Sequence, residues 1–375
     1  MNLWGNGYPV GFPNIGIEFS SLPRGIEVFD FRIAFYGIII ALGMLGGIAI
    51  AKWQAKRSGQ DPEFYMDFAL IAIPISVIGA RIYSVAFEWD SYKDDLLKIL
   101  NLRNGGLAIY GGIIAAFLCV LVYCKIKKYS FMLFADTGVL GLILGQIVGR
   151  WGNFFNREAF GKYTDSLFAM KINVNDPSLG NVFKPDIISD ARLAQMYAGK
   201  PKALENIMEI RNNIKIALDG SSYVTVQPTF LYESVWNLLL LIAMIIYSPK
   251  KKFNGEIFLM YVAGYGFGRF FIEGLRTDQL FLWNTGIPVS QLLSGLAFVV
   301  AFGLIIFFRI RVAQGKLTLV NVAKAGSTGE KSEAKSENSV NAKAEEEKEA
   351  EAKAGNDEQE DRPTGDLKES FKNKD

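Results

Sequence analysis

Seven blocks of apolar residues, each about twenty long, constrain this chain more than any other feature: roughly 32–51, 65–87, 106–124, 131–152, 229–247, 255–273 and 289–308. At ~1.5 Å of helical rise per residue, one such block crosses the ~30 Å of a bilayer's hydrocarbon. A soluble chain of 375 residues would instead distribute its apolar residues over two or three cores. The fold class expected is therefore an all-α polytopic membrane protein with seven transmembrane helices.

Charge orients the spans. Lys52, Lys56 and Arg57 follow the first block, Lys125, Lys127 and Lys128 the third, Lys250, Lys251 and Lys252 the fifth, and Arg309, Arg311 and Lys316 the seventh. Every second connection is basic, which the positive-inside rule reads as cytoplasmic. The N-terminus is then expected outside and the C-terminus in the cytoplasm. Residues 1–30 show no basic stretch leading into a short apolar run and a small-residue cleavage site, so no cleaved leader is expected.

Four parts follow: an outer N-terminal segment, 1–31; a transmembrane domain, 32–311; a head, 153–228, inserted between the fourth and fifth helices on the outer surface; and a cytoplasmic tail, 312–375. The head carries turn residues (Pro177, Gly180, Pro185, Gly220) and a helix-like stretch near Ala203–Leu218. From Gly326 onward the chain holds 9 basic and 15 acidic residues, net −6, leaving 31 basic and 23 acidic, net +8, to the first 325. That tail has too few apolar residues to offset chain entropy and is expected to be disordered.

The chain contains no His. An imidazole base, a Ser-His-Asp triad, a Cys-His dyad and a His-ligated zinc are all excluded. Cys119 and Cys124 share one apolar block and read as small core residues of an embedded helix. Neither a metal site nor a nucleic-acid partner is expected.

With the spans oriented, the intramembrane polar residues fall at one depth. Tyr36, Arg81, Tyr110, Gln146, Arg150, Asn153, Tyr232, Glu233, Tyr265, Arg269, Glu273, Arg276, Ser290 and Gln291 all sit toward the outer ends of their spans, whereas Asp67 and Asp136 sit toward the inner ends. Gln146, Arg150 and Asn153 share a helix face, and so do Tyr265, Arg269, Glu273 and Arg276. A charge facing lipid costs at least ~2.5–3.5 kcal/mol near the bilayer centre, so these faces should point into the bundle. Glycines at 141, 145 and 149, and at 264, 266 and 268, read as close helix packing. Arginine's planar fork recognises phosphate, and two arginines from different helices can clamp a phosphodiester. The residues alone thus point to an intramembrane site for a lipid phosphate, open to the outer leaflet.

The run Gly149-Arg150-Trp151-Gly152-Asn153-Phe154-Phe155-Asn156-Arg157-Glu158-Ala159-Phe160-Gly161 resembles the G-R-x-G-N-F-x-N-x-E-x-x-G signature of bacterial prolipoprotein diacylglyceryl transferases. Three further stretches agree in order: Gly105-Gly106-Leu107 through Gly111-Gly112, Pro228 through Glu233, and Tyr265 through Arg269, Glu273, Arg276 and Asp278. The resemblance spans about residues 30–310. It implies an enzyme of the bacterial cytoplasmic membrane that needs no cofactor. Such an enzyme moves a diacylglyceryl group from phosphatidylglycerol to the lipobox cysteine of a prolipoprotein signal peptide. A thioether forms and glycerol 1-phosphate leaves.

Carried over by motif, Arg150 would bind the lipid phosphate, with Asn153 and Glu158 completing the polar pocket. Arg269 would stabilise the departing phosphate, with Glu273 orienting it. Tyr36, Tyr265 and Arg276 would line the substrate cavity. Many family members carry His where this chain has Tyr110, and His where it has Gln227. Either Glu158 or Tyr110 then accepts the thiol proton, or the thiolate forms without a dedicated base. A lipid transporter or scramblase using the same polar cavity is the alternative. Polar residues concentrated on one side, with no visible repeat, favour the transferase.

Overall fold

The computed structural model describes residues 2–4, 7–29, 31–101, 105–217, 220–277, 279, 281–282 and 287–316. Asp278 and the acidic tail from Gly326 lie outside them.

Four strands, β1 (Asn2–Trp4), β2 (Tyr8–Phe12), β3 (Ile17–Leu22) and β4 (Gly25–Val28), precede β5 (Phe31–Ala34), which runs directly into α1 (Phe35–Arg57). Helices α2 (Pro62–Phe87), α3 (Ile109–Ile126) and α4 (Phe131–Asn156) follow. Then come β6 (Met170–Asn173), α5 (Asp190–Met196), α6 (Pro201–Asn212), β7 (Lys215–Ile216) and β8 (Ser222–Val226). Three long helices, α7 (Thr229–Tyr247), α8 (Glu256–Glu273) and α9 (Val289–Ala313), complete the described chain.

Six of these helices, α1, α2, α3, α4, α7 and α9, are long and apolar enough to cross a membrane. Helix α8 has 18 residues but carries Glu256, Arg269 and Glu273, and it packs against α9, α7 and α4. Local chemistry marks the helix ends. Asp61 accepts from the Glu63 amide and Pro62 opens α2, while Ser130 caps α4 through the Leu133 amide. Lys56 and Arg57 close α1, where the helix dipole favours cations.

Lipid offers no hydrophobic drive for helix association, so close packing must supply it. Helices α1 and α4 make the broadest contact, along Gly43 and Gly47 of one and Gly141 and Gly145 of the other. A methyl group added at Gly47 would stand 2.7 Å from the Gly141 carbonyl oxygen. Gly149 meets no neighbour of that kind and takes no part in the contact.

The head adds β-structure to this mostly helical molecule. Its five-stranded antiparallel sheet has the order β3-β2-β6-β8-β7, so the N-terminal hairpin pairs with strands more than 150 residues away. Strands β1, β4 and β5 form a separate three-stranded sheet. The head core includes Val10, Met170, Ile172, Leu193, Ile210 and Val226, together with Phe154 at the end of α4 and Phe230 at the start of α7. Each fully buried side chain of this size contributes ~1.5–3 kcal/mol. Because Phe154 and Phe230 belong to that core, the head is built onto the ends of the helices that carry the polar cluster. The helix-like stretch expected near Ala203–Leu218 is α6, which stops at Asn212 and gives way to β7.

Candidate functional site

Antiparallel packing brings the C-terminal ends of α4 and α8 beside the N-terminal ends of α7 and α9. Arginines near helix C-termini and a carboxylate near an N-terminus suit the helix dipoles. Glu233, in the second turn of α7 and almost fully buried, is the meeting point. Its Oε1 accepts from Arg150 at 2.6 Å and from the Tyr265 hydroxyl at 3.3 Å, and its Oε2 accepts from Arg269 at 2.9 Å. The other arm of Arg269 reaches Glu273 Oε2 at 2.5 Å, one turn along α8. Ser290 of α9 donates to Glu273 Oε1 at 2.5 Å. Three helices thus share one chain of alternating charges, Arg150–Glu233–Arg269–Glu273, and α9 joins it through Ser290.

Two guanidinium and two carboxylate groups compensate each other, as burial demands. The arginines are not sealed: Arg150 keeps 22% of its side chain accessible and Arg269 14%. Below them, Gln146 donates to the Tyr261 hydroxyl at 2.8 Å, and Tyr261 stacks on Tyr265.

A second group flanks this chain one turn along α4. Asn153 donates to Glu158 at 2.9 Å and Asn156 donates to the same oxygen at 3.3 Å. Glu158 is exposed and stands in a tight loop between Arg157 (φ 55°) and Ala159 (φ 56°), both in the left-handed region that non-glycine residues rarely adopt. The loop is held from three sides. The Thr229 hydroxyl donates to the Ala159 carbonyl. Gly161 pairs with Gln227, and Lys162 donates to the Leu275 carbonyl. The Arg157 side chain is buried, paired with Asp176 of the head, and donates to the Leu22 carbonyl at 2.7 Å. Burial pulls the Arg157 guanidinium below its ordinary pKa, and the adjacent Asp176 opposes that shift. Arg24 adds a 3.0 Å bond to the same aspartate.

Among the residues expected from sequence, the structure joins Arg150, Tyr265, Arg269 and Glu273 in one network, and Asn153 with Glu158 in a neighbouring one. Tyr36 packs on Gly152, where a methyl would stand 2.5 Å from its ring, and so lies beside both. Arg276 lies just past α8 with its backbone bridged to Gly161. Tyr110 stands at the first turn of α3, 65% exposed, on a helix that packs mainly against α2. No described interaction links its hydroxyl to the charge network.

Two further residues change meaning. Arg81 shares the depth of the cluster, yet it spends its donors on the carbonyls of Lys98, Ile99, Asn101, Gly105 and Gly106. It ties the α2–α3 link to α2. Glu233 was visible in the sequence as a charge opening a span, but its role as the shared acceptor of two arginines was not. The signal available was arithmetic: two intramembrane arginines at one depth need more than the single carboxylate Glu273.

Fold and cluster together define a multi-pass membrane protein with a charged, partly open site at one end of its helix bundle. The model of the prolipoprotein diacylglyceryl transferase family matches residues 23–307. The phosphatidylglycerol–prolipoprotein diacylglyceryl transferase of Listeria innocua is 40% identical over 290 residues, 77% of this chain and 91% of that protein. The enzyme of that name from Clostridium botulinum (strain Langeland) is 37% identical over 279 residues, 74% of this chain and 94% of its own. The chain belongs to the prolipoprotein diacylglyceryl transferase family.

Proposed function

We propose that this protein transfers the diacylglyceryl group of phosphatidylglycerol to the cysteine thiol of a prolipoprotein lipobox. The observation that carries this reading is the convergence of Arg150 and Arg269, from two helices, on Glu233 at one end of the bundle. The thiolate sulfur bonds to the diacylglycerol carbon that carries the phosphate, and the bond from that carbon to the phosphate oxygen breaks. Glycerol 1-phosphate leaves with the charge. Arg150 holds the phosphodiester and Arg269 neutralises the departing phosphate, while Glu233 and Glu273 keep both guanidinium groups oriented before substrate arrives.

Tyr36, Tyr265 and Arg276 line the lipid's path, and Asn153 holds Glu158 at the exposed flank, where a peptide would enter. The thiol proton goes to Glu158 or Tyr110, or is lost without a dedicated base. A thiol of pKa ~8.5 near arginine charge needs only modest help. The similarities give no support to a lipid transporter or scramblase.

Helix α8 also spans the membrane in this reading, the sixth of seven spans in chain order. The head and N-terminal strands lie outside the cell, and the basic links and tail lie in the cytoplasm. The alternating basic connections support that orientation. The direct test incubates the purified protein with phosphatidylglycerol and a lipobox peptide. A diacylglyceryl mass gain with release of glycerol phosphate is expected, and no gain across several detergents and pH values would defeat the proposal.

A further inference from the structure

The bundle end opposite the head carries a shallow groove of about 760 Å³ lined by Tyr247, Lys250, Lys252, Arg309, Val312 and Ala313. Its charges are unequal in kind. Arg309 is already compensated, because its Nε donates to the fully buried Glu256 at 2.8 Å and its terminal nitrogen to the Tyr247 hydroxyl at 2.5 Å. Lys251, between the two groove lysines, is spent on Asp136 at 2.9 Å. The Lys252 backbone amide donates to Glu256, but the ammonium groups of Lys250 and Lys252 have no carboxylate partner among the described residues. The exposed Lys250 and Lys252 therefore line the groove together with the apolar Val312 and Ala313.

The apolar wall continues. Ile306, Ile310 and Ala313 are spaced four and three residues apart and share a face of α9, and both isoleucines are exposed. The groove suits a molecule that is anionic at one end and apolar along its length. We propose that it binds the phosphate headgroup of an anionic phospholipid in the leaflet opposite the Arg150–Glu233 cluster, with the acyl chains along Ile306 and Ile310. Cationic pockets between helix ends recognise such headgroups by charge.

The inference is independent of the proposed reaction. Its test uses the full chain in phosphatidylcholine nanodiscs, titrated with phosphatidylserine, which is anionic but lacks the glycerol headgroup, and read by native mass spectrometry. Each lysine should contribute about 5-fold in affinity, so Lys250→Gln with Lys252→Gln should weaken the tightest site ~25-fold. Lys127→Gln with Lys128→Gln, which removes equal charge from the α3–α4 link, should leave it unchanged. Three results would overturn the proposal: an equal loss in the control pair, no loss in the groove pair, or inorganic phosphate competing as well as the lipid.

Discussion

Each end of the bundle is organised by a buried carboxylate with three donors, and the two ends differ in what those donors are. Asp136 accepts from Lys251 at 2.9 Å, from the Gly255 amide at 2.8 Å and from the Phe258 amide at 3.0 Å. Two of its three partners are backbone, so it acts as a cap supplied from another helix and fixes the start of α8 against α4. Glu233 accepts only from side chains: Arg150, Arg269 and Tyr265. A backbone amide cannot turn to a ligand without unwinding its helix, but an arginine can rotate. One carboxylate staples the bundle, and the other holds two arginine side chains that stay partly accessible.

The comparison is open to attack by mutation. Asp136→Ala leaves the nearly buried Lys251 ammonium and two amides without their partner. A loss of ~3–5 kcal/mol in stability is expected from denaturant titration, with transfer activity per folded molecule unchanged. Arg150→Ala and Arg269→Ala are expected to lower kcat/KM about 100- to 1000-fold, the cost of one preorganised charge donor, measured by peptide mass gain. Full activity in either variant removes that arginine from the reaction. Glu233→Gln keeps the shape but halves the acceptor capacity and removes the charge. A fall of about 10-fold is expected, and Arg150 and Arg269 substitutions should become more nearly additive in its background. Tyr265→Phe deletes the 3.3 Å bond to Glu233. Its effect should stay within roughly 0.5–1.5 kcal/mol, about 2- to 12-fold in rate. If Tyr265→Phe exceeds the arginine variants, the network has been assigned in the wrong order of importance.

Much of the site was legible because helical spacing is a local rule. Arg269 and Glu273, four residues apart on one helix, had to meet, and Arg150 and Asn153 had to share a face. Depth was legible too, since polar residues at matching ends of antiparallel spans lie level. Partner choice was not. Arg81 and Arg150 sit at similar depth in the sequence, yet one is consumed by backbone carbonyls and the other reaches Glu233. Tyr110, placed by motif, stands exposed on α3, apart from the described charge network. Arg157 occupies an unspecified position of the signature, and nothing around it announced a buried pair with Asp176. The head's strands were missed for a related reason: β2 is short, and its partner β6 lies some 160 residues on, beyond any local pattern.

The sequence alone determined that this chain enters a membrane, because apolar length and charge asymmetry act residue by residue against lipid and water and need no knowledge of neighbours. It also determined which residue types could serve chemistry, by lacking histidine altogether. Only the tertiary structure decided that Glu233 gathers the two arginines, that the N-terminal hairpin completes the head, and that Asp136 is spent on capping. Those outcomes depend on which helix stands beside which, and glycine contacts between helices and long-range strand pairing set that arrangement through shapes no single segment encodes.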